Sequence, residues 1–250
     1  MITQMTNQDS ETITGKGVLT ISGTKVELEV TVPANPVSAT KMLPVFQQLT
    51  NVIVDAGVSK AEAEGAQISC TKGCGACCRQ LVPVAESEAY QLCDLVNDMP
   101  EPRRSTMRAR FAAAKEKLAQ VGLLTRIQFP GELSIEARRQ LGLEYFQQGI
   151  ACPFLEDESC GIHPDRPLAC REYLVTSPAA NCAAPSAGTV HCIEMPGSVS
   201  RIVQTMTATR AVPWLPLILA LDWADETPDQ TPVRSGPEWL QAILRELTKQ

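Results

Sequence analysis

Four cysteines fall within nine positions in CTKGCGACC, residues 70–78. Thiolates are soft ligands suited to zinc, iron–sulfur clusters and copper(I). The small residues between them, Gly73, Gly75 and Ala76, let a chain curl so that several sulfurs face one point. Glycine also leaves backbone N–H groups near the sulfurs, where they offset negative charge. Lys72 and Arg79 flank the loop and are expected to lower the thiol pKa values. A disulfide between adjacent Cys77 and Cys78 would close a strained ring, so thiols acting as ligands are the better reading.

Five more cysteines follow at Cys152, Cys160, Cys170, Cys182 and Cys192, and the tenth is Cys93. Cys93 lies on an apolar helical stripe and is expected to be a small buried hydrophobe. The other nine sit in loop-like sequence. The 73 residues 79–151 separate Cys78 from Cys152, and helices that leave and return would bring the two groups face to face. Convergence on one buried site is therefore expected.

The spacing Cys70-x3-Cys74-x2-Cys77 is also that of the radical-SAM cluster motif. That fold needs a repeated β/α barrel, and the helical stripes provide no strands for one. Ala76 also stands where those enzymes usually carry an aromatic residue. The radical-SAM reading is rejected, but three thiols at this spacing can hold a four-iron cluster.

The two stretches CTKGCGACCR and CPFLEDESCGIHPDRPLACREY resemble the CxxCxxCC cysteine-cluster family of zinc- or iron-chelating domains. The matching residues are Cys70, Cys74, Gly75, Cys77 and Cys78, then Cys152, Pro153, Phe154 and Leu155, then Cys160, Ile162, Arg166, Pro167, Cys170 and Arg171. The resemblance spans roughly residues 66–185. It implies metal ligation by Cys70, Cys74, Cys77, Cys78, Cys152, Cys160, Cys170 and a downstream cysteine, Cys182, with Cys192 as its rival. Three residues rather than two separate the first cysteine pair, His163 replaces the usual Tyr, and no proline closely follows Arg171. The family includes flagellin lysine N-methylases. That membership is the one route to an enzyme, acting by methyl transfer to protein lysine or by redox chemistry, and the chain shows no glycine-rich nucleotide loop.

Other residues carry weaker signals. His191 beside Cys192 is an outside candidate ligand, and His163 is expected to pack or to hydrogen-bond. Arg166 and Arg171 are candidate donors to sulfurs or carboxylates. Arg103, Arg104, Arg108 and Arg110 read as a solvated helix face, and Glu156, Asp157 and Glu158 as a solvated loop tip. Two histidines leave little room for a Ser-His-Asp or Cys-His-Asn arrangement, so no catalytic residue is assigned.

The elements that must position these thiols are mainly helical. Residues 1–15 read as a loose tail, and 16–34 alternate around Ser22-Gly23 as a hairpin. Met42, Phe46, Leu49, Ile53 and Ala56 form a helical stripe with Gly57 as its expected stop. Further stripes run through Ala85–Met99, Met107–Val121, and Ala137, Leu141 and Tyr145, the last behind Ser134 as N-cap. Residues 150–197 have little periodicity and need another source of order. Val199, Ile202, Val203 and Met206 resume a helix, 213–223 reads as a buried one, and Ser235-Gly-Pro237 opens the last. The fold expected is mainly α, with a small N-terminal β-hairpin and a Cys-rich irregular segment. Its parts are a tail over 1–15, hairpin plus helix over 16–65, a cysteine-cluster domain over 66–197, and C-terminal helices over 198–250.

The chain has 250 residues, 44% of them hydrophobic and 20% charged, with a net charge of −6. That composition supports a globular core and argues against a nucleic-acid or anionic-membrane partner. The N-terminal residues lack an apolar signal region, and the apolar run 211–221 is short and proline-broken. A cytoplasmic protein is expected, where disulfides are disfavoured and metal ligation accounts for the thiols. The expected cofactor is an iron–sulfur cluster, 4Fe-4S favoured, or zinc. The ligand count favours the cluster, because one tetrahedral zinc needs four thiolates.

Overall fold

The computed structural model describes residues 2–9, 11–129, 133–186 and 188–249. Three strands open it: β1 (Ile2–Asp9), β2 (Thr12–Ile21) and β3 (Thr24–Pro33), an antiparallel sheet in that order. β2 and β3 pair from Thr12–Pro33 to Ile21–Thr24. Ser22 (φ 44°) and Gly23 (φ 79°) make the turn between them. Positive φ at both central residues gives a hairpin turn whose twist matches the strands. The hairpin expected at Ser22-Gly23 is thus present. The tail expected over 1–15 is not, because residues 2–9 pair with β2 and β2 itself begins at Thr12.

Strand β4 (Pro36–Ser38) leads into helix α1 (Ala39–Ala63). The helix runs through Gly57, the expected stop. A Cβ there would lie 3.1 Å from Met195 Sδ and 3.2 Å from Pro196 Cδ, so this glycine makes room for the chain that follows Cys192. The stop is Gly65 at φ +85°. Its N–H bonds to Glu62 O and that of Ala66 to Ala61 O, the paired bonds of a Schellman end.

After β5 (Pro83–Val84) come α2 (Glu86–Asn97), α3 (Arg103–Gln120), α4 (Leu124–Gln128) and α5 (Ile135–Gln147). Ser134 caps α5 by accepting from Ala137 N–H. The irregular stretch contains β6 (Leu155–Glu156), β7 (Ser159–Cys160), a 3-10 turn at His163–Asp165, α6 (Leu168–Glu172) and α7 (Ala179–Ala183). Helix α8 (Val199–Thr207) follows. The run expected as one helix over 213–223 divides into β8 (Leu215–Pro216), a 3-10 turn and α9 (Ala220–Glu226). Pro216 supplies the reason: its ring and missing N–H exclude it from a helix interior. Strand β9 (Val233–Ser235) pairs with β4, and α10 (Gly236–Leu247) closes the chain behind a Ser235/Glu238 capping box. Among the described residues no helix is long and apolar enough to cross a membrane.

Two cores result. In the first, Val26, Leu28, Val30 and Val32 of β3 face α1, α8 and α10. Phe46 meets Trp239 edge to face at 5.8 Å, and the indole N–H donates to Val37 O. In the second, α2, α3, α4, α5 and α9 enclose Phe111 and Leu118 together with Phe154 and Ile162 of the cysteine-rich segment. Cys93 sits at this core's edge, buried as expected. Its thiol nevertheless donates to Asp225 Oδ1 at 3.2 Å, and Arg108 bridges Asp225 and Asn97 beside it.

Gly236 is where the sheet meets α10. A Cβ there would lie 2.3 Å from Pro33 O and 2.6 Å from Val32 Cβ. Backbone cannot yield as a flexible side chain would, so Gly236→Ala should lower unfolding stability by about 1–3 kcal/mol, as overpacking does. Denaturant unfolding of the variant against the wild type checks this.

Candidate metal centre

The first cysteine loop is wound by three successive short-range bonds: Cys74 N–H to Thr71 O, Cys78 N–H to Gly75 O, and Gln80 N–H to Cys77 O. Gly73 takes φ +86° within it. Gly75 is pressed against the β6–β7 hairpin, where a Cβ would meet Glu158 Oε2 at 2.7 Å and Leu155 Cδ1 at 2.8 Å. Only glycine allows the loop so near.

The hairpin tip is held rather than free. Asp157 (φ 48°) and Glu158 (φ 56°) both adopt the left-handed conformation, which costs non-glycine residues energy and persists where neighbours fix it. Arg79 supplies the fixing contact, bonding both Glu158 carboxylate oxygens at 2.7 and 3.1 Å and Gly75 O at 2.9 Å. Glu156 faces Arg103 and Arg110 of α3. Arg103 also donates to Gly161 O, and Arg110 to Pro153 O and Leu155 O. Glu158, Arg103 and Arg110 are exposed, as expected of a solvated tip and helix face, and they also make contacts: Arg103 and Arg110 tie the hairpin to α3 through Glu156, and Glu158 ties it to the first loop through Arg79. Arg104 pairs with Glu101, and Arg108 with Asp225.

Both ends of the first loop are stitched to the later segment. At one end, Cys152 N–H donates to Cys78 O at 2.7 Å. At the other, Ser69 N–H donates to Val175 O at 2.9 Å, and Val175 N–H to the Cys70 sulfur at 3.4 Å. Val175 in turn bridges Cys192. Cys170 arrives on α6, whose first N–H, that of Leu168, bonds Glu88 Oε1 at 2.7 Å. Arg171 anchors the same helix through Arg166 O, Pro164 O and Asn51. Glu172 accepts from Ser198 and Ser200 at the start of α8.

Burial dominates the electrostatics, because a thiolate is costly in low dielectric. It raises Cys70, Cys160, Cys182 and Cys192, lifts Cys170 strongly, and pushes Cys152 up to about 12. Cys77 is raised first by its hydrogen bond with Cys78 and then by burial. A thiolate at Cys77 would push up Cys70, Cys152, Cys160, Cys170 and Cys182 in turn. Arg79, expected to favour thiolates, is engaged by Glu158. The cation that lowers Cys70, Cys77 and Cys160 is Arg166, whose buried Nε has no hydrogen-bond partner.

Cys70, Cys74, Cys77, Cys78, Cys152, Cys160 and Cys170 are half-buried around this junction, Cys182 is buried in α7, and Cys192 is exposed. Cys93 stands apart, on α2 beside α9. His163 is exposed, and the His191 ring meets Gly188 O. Among the described residues no three His, Cys, Asp or Glu side chains already stand at metal-ligating positions. The fit to a metal thus lies in donor chemistry: a crowd of thiols, one unpartnered guanidinium N–H among them, and glycines where the chains touch.

Sequence reasoning missed Glu88, whose carboxyl burial pushes up to about 7 while it bonds Ala85 N–H and Leu168 N–H. Its place three residues after the helix cap was a signal for the first bond. Nothing in the sequence pointed to the second, 80 positions away. Tyr173 was missed as well; its hydroxyl takes a hydrogen bond from Gln80 and bonds with Cys192.

Residues 69–188 match the CxxCxxCC family, described as a "putative zinc- or iron-chelating domain". No curated protein and no solved structure matches the chain. The matched span takes in Cys70 through Cys182 and stops short of Cys192. The chain is therefore similar to the CxxCxxCC family over residues 69–188, the two cysteine segments and the helices that join them.

Proposed function

We propose that this protein is a cytoplasmic metal-binding protein whose thiolates hold an iron–sulfur cluster of the 4Fe-4S type. The ligands come from Cys70, Cys74, Cys77, Cys78, Cys152, Cys160, Cys170 and Cys182. The observation that carries this reading is the joining of the two cysteine segments, by Cys152 N–H to Cys78 O and Val175 N–H to the Cys70 sulfur, with free thiols on both sides. A lone tetrahedral zinc uses four thiolates and a four-iron cluster about four, so either leaves a surplus that could hold a second metal or donate around the first. A bound cluster would supply one-electron redox chemistry. The chain's own part is to exclude water from the thiols and to offset their negative charge with Arg166. Burial, and then repulsion, favours the neutral thiol at Cys70, Cys152, Cys160, Cys170 and Cys182 without metal, and a cation reverses that balance, so binding releases protons.

Protein purified without air should be brown, with the broad visible absorption of thiolate-to-iron charge transfer, and elemental analysis should find iron. Colourless protein with stoichiometric zinc would overturn the cluster and leave the thiolate site standing. Cys77→Ala should lower metal content severalfold, because it removes the thiol common to both segments. Cys93→Ala should leave metal content unchanged, because that thiol bonds Asp225 in a different part of the molecule. Metal analysis of the two purified variants checks this, and equal losses would refute the assignment.

A further inference from the structure

We propose that the cleft between α6 and α8 binds a free α-amino acid with a small apolar side chain, Arg201 taking its carboxylate and Glu172 its ammonium. The cleft lies beside the cysteine junction, and the inference stands without the metal-binding reading.

The cleft measures about 250 Å³, just under the roughly 300–1,000 Å³ of pockets that hold drug-sized ligands. Its size therefore suits a molecule of a few heavy atoms. Glu172 and Tyr173 line it from α6, Ser200, Arg201 and Gln204 from α8, and Pro83 from β5. Ser200 and Gln204 are only 6% and 7% exposed, so the polar wall they make is fixed by packing. Gln204 is held further by donating to Pro83 O at 3.4 Å.

Two opposite charges share this small space without neutralising each other. Among the described residues Glu172 and Arg201 make no ion pair, and the exposed Arg201 guanidinium has no hydrogen-bond partner. Glu172 is oriented by three donors. Its Oε1 accepts from Ser200 N–H at 2.9 Å, and its Oε2 from the Ser198 and Ser200 hydroxyls at 2.9 and 2.6 Å. A carboxylate has about four acceptor positions, so one remains for a further donor. These bonds fix the carboxylate before any ligand arrives, which lowers the cost of binding.

The pair of charges selects the ligand. A purely anionic molecule would be repelled by Glu172, and a purely cationic one by Arg201. A molecule carrying both charges a few bonds apart satisfies the two together. Its carboxylate can take the guanidinium fork bidentately, and its ammonium can fill the remaining acceptor position of Glu172. A free α-amino acid has that arrangement, whereas a peptide carries its two termini far apart. The Tyr173 hydroxyl is engaged by Gln80 and Cys192, neither of which lines the cleft. The Tyr173 ring and Pro83 are thus left as apolar surface for the ligand's side chain.

Isothermal titration calorimetry of the full chain, purified without air, tests this with L-alanine as the probe. L-alanine should bind at one site. N-acetyl-L-alanine lacks the ammonium and L-alaninamide lacks the carboxylate. Each should bind at least about tenfold more weakly, the loss of one hydrogen bond to a charged group. Arg201→Gln should weaken L-alanine by a similar factor and leave L-alaninamide unchanged, so that the two bind alike. Absence of L-alanine binding, equal binding of the blocked forms, or full L-alanine affinity in Arg201→Gln would overturn the proposal. The comparison of the three ligands on the wild type decides the matter even if the variant does not fold. Metal content enters none of these readings, so their failure leaves the thiolate site standing.

Discussion

Burial of Phe154 against Phe111 is the contact on which the cysteine-rich segment depends. The rings meet edge to face at 5.3 Å, and Phe154 is among the largest fully buried side chains. Truncating such a phenylalanine costs about 3–5 kcal/mol. A segment with almost no apolar periodicity gains its position from a few such anchors, Ile162, Leu168 and Val175 among them, and the largest is Phe154. Cys152 and Pro153 precede it and Leu155 follows, so seating the ring also sets the Cys152–Cys78 backbone bond and the start of the β6–β7 hairpin. Arg103 and Arg110 of α3 then hold the backbone around it by donating to the carbonyls of Gly161, Pro153 and Leu155.

Order in this region is therefore borrowed from the helical core. Helix α3 holds the hairpin, Glu88 on α2 holds the start of α6, and Gly57 on α1 leaves space for Met195 and Pro196. Each contact joins an element that folds by its own apolar stripe to one that has none. The buried carboxyl of Glu88 is an expensive device, tolerable because two backbone N–H groups satisfy it. The strained pair Asp157–Glu158 is similar, since its conformation persists because Arg79 and Gly75 lock the tip in place.

These constraints bring many thiols into a half-buried junction, where neutral thiols are stable and thiolates repel one another. The Arg166 guanidinium stands there with its buried Nε unpartnered. An arrangement costly for anions and rich in soft donors is one that a metal cation relieves. That physical asymmetry connects the fold to the chelating family it matches.

The sequence by itself determined the mainly helical fold, the Ser22-Gly23 hairpin and the caps at Ser134 and Ser235. Each follows from periodicity of 3.6 or 2 or from local side-chain bonds, which operate within a few residues. It also determined the cysteine pattern that carries the family match. Tertiary structure decided what depends on partners far along the chain. Gly57 reads as a stop until Met195 and Pro196 are seen to need its missing Cβ. Glu156 and Glu158 read as a solvated tip, and only the fold shows that Arg79, Arg103 and Arg110 reach them there. Glu88 drew no reading from the sequence, because Leu168, whose N–H it accepts, lies 80 positions away. The position of Cys192 beside Cys70 was decided in the same way, by backbone bonds through Val175. A hydrogen bond between residues 80 or 105 positions apart leaves no periodic trace, because only the packed core brings its two ends together.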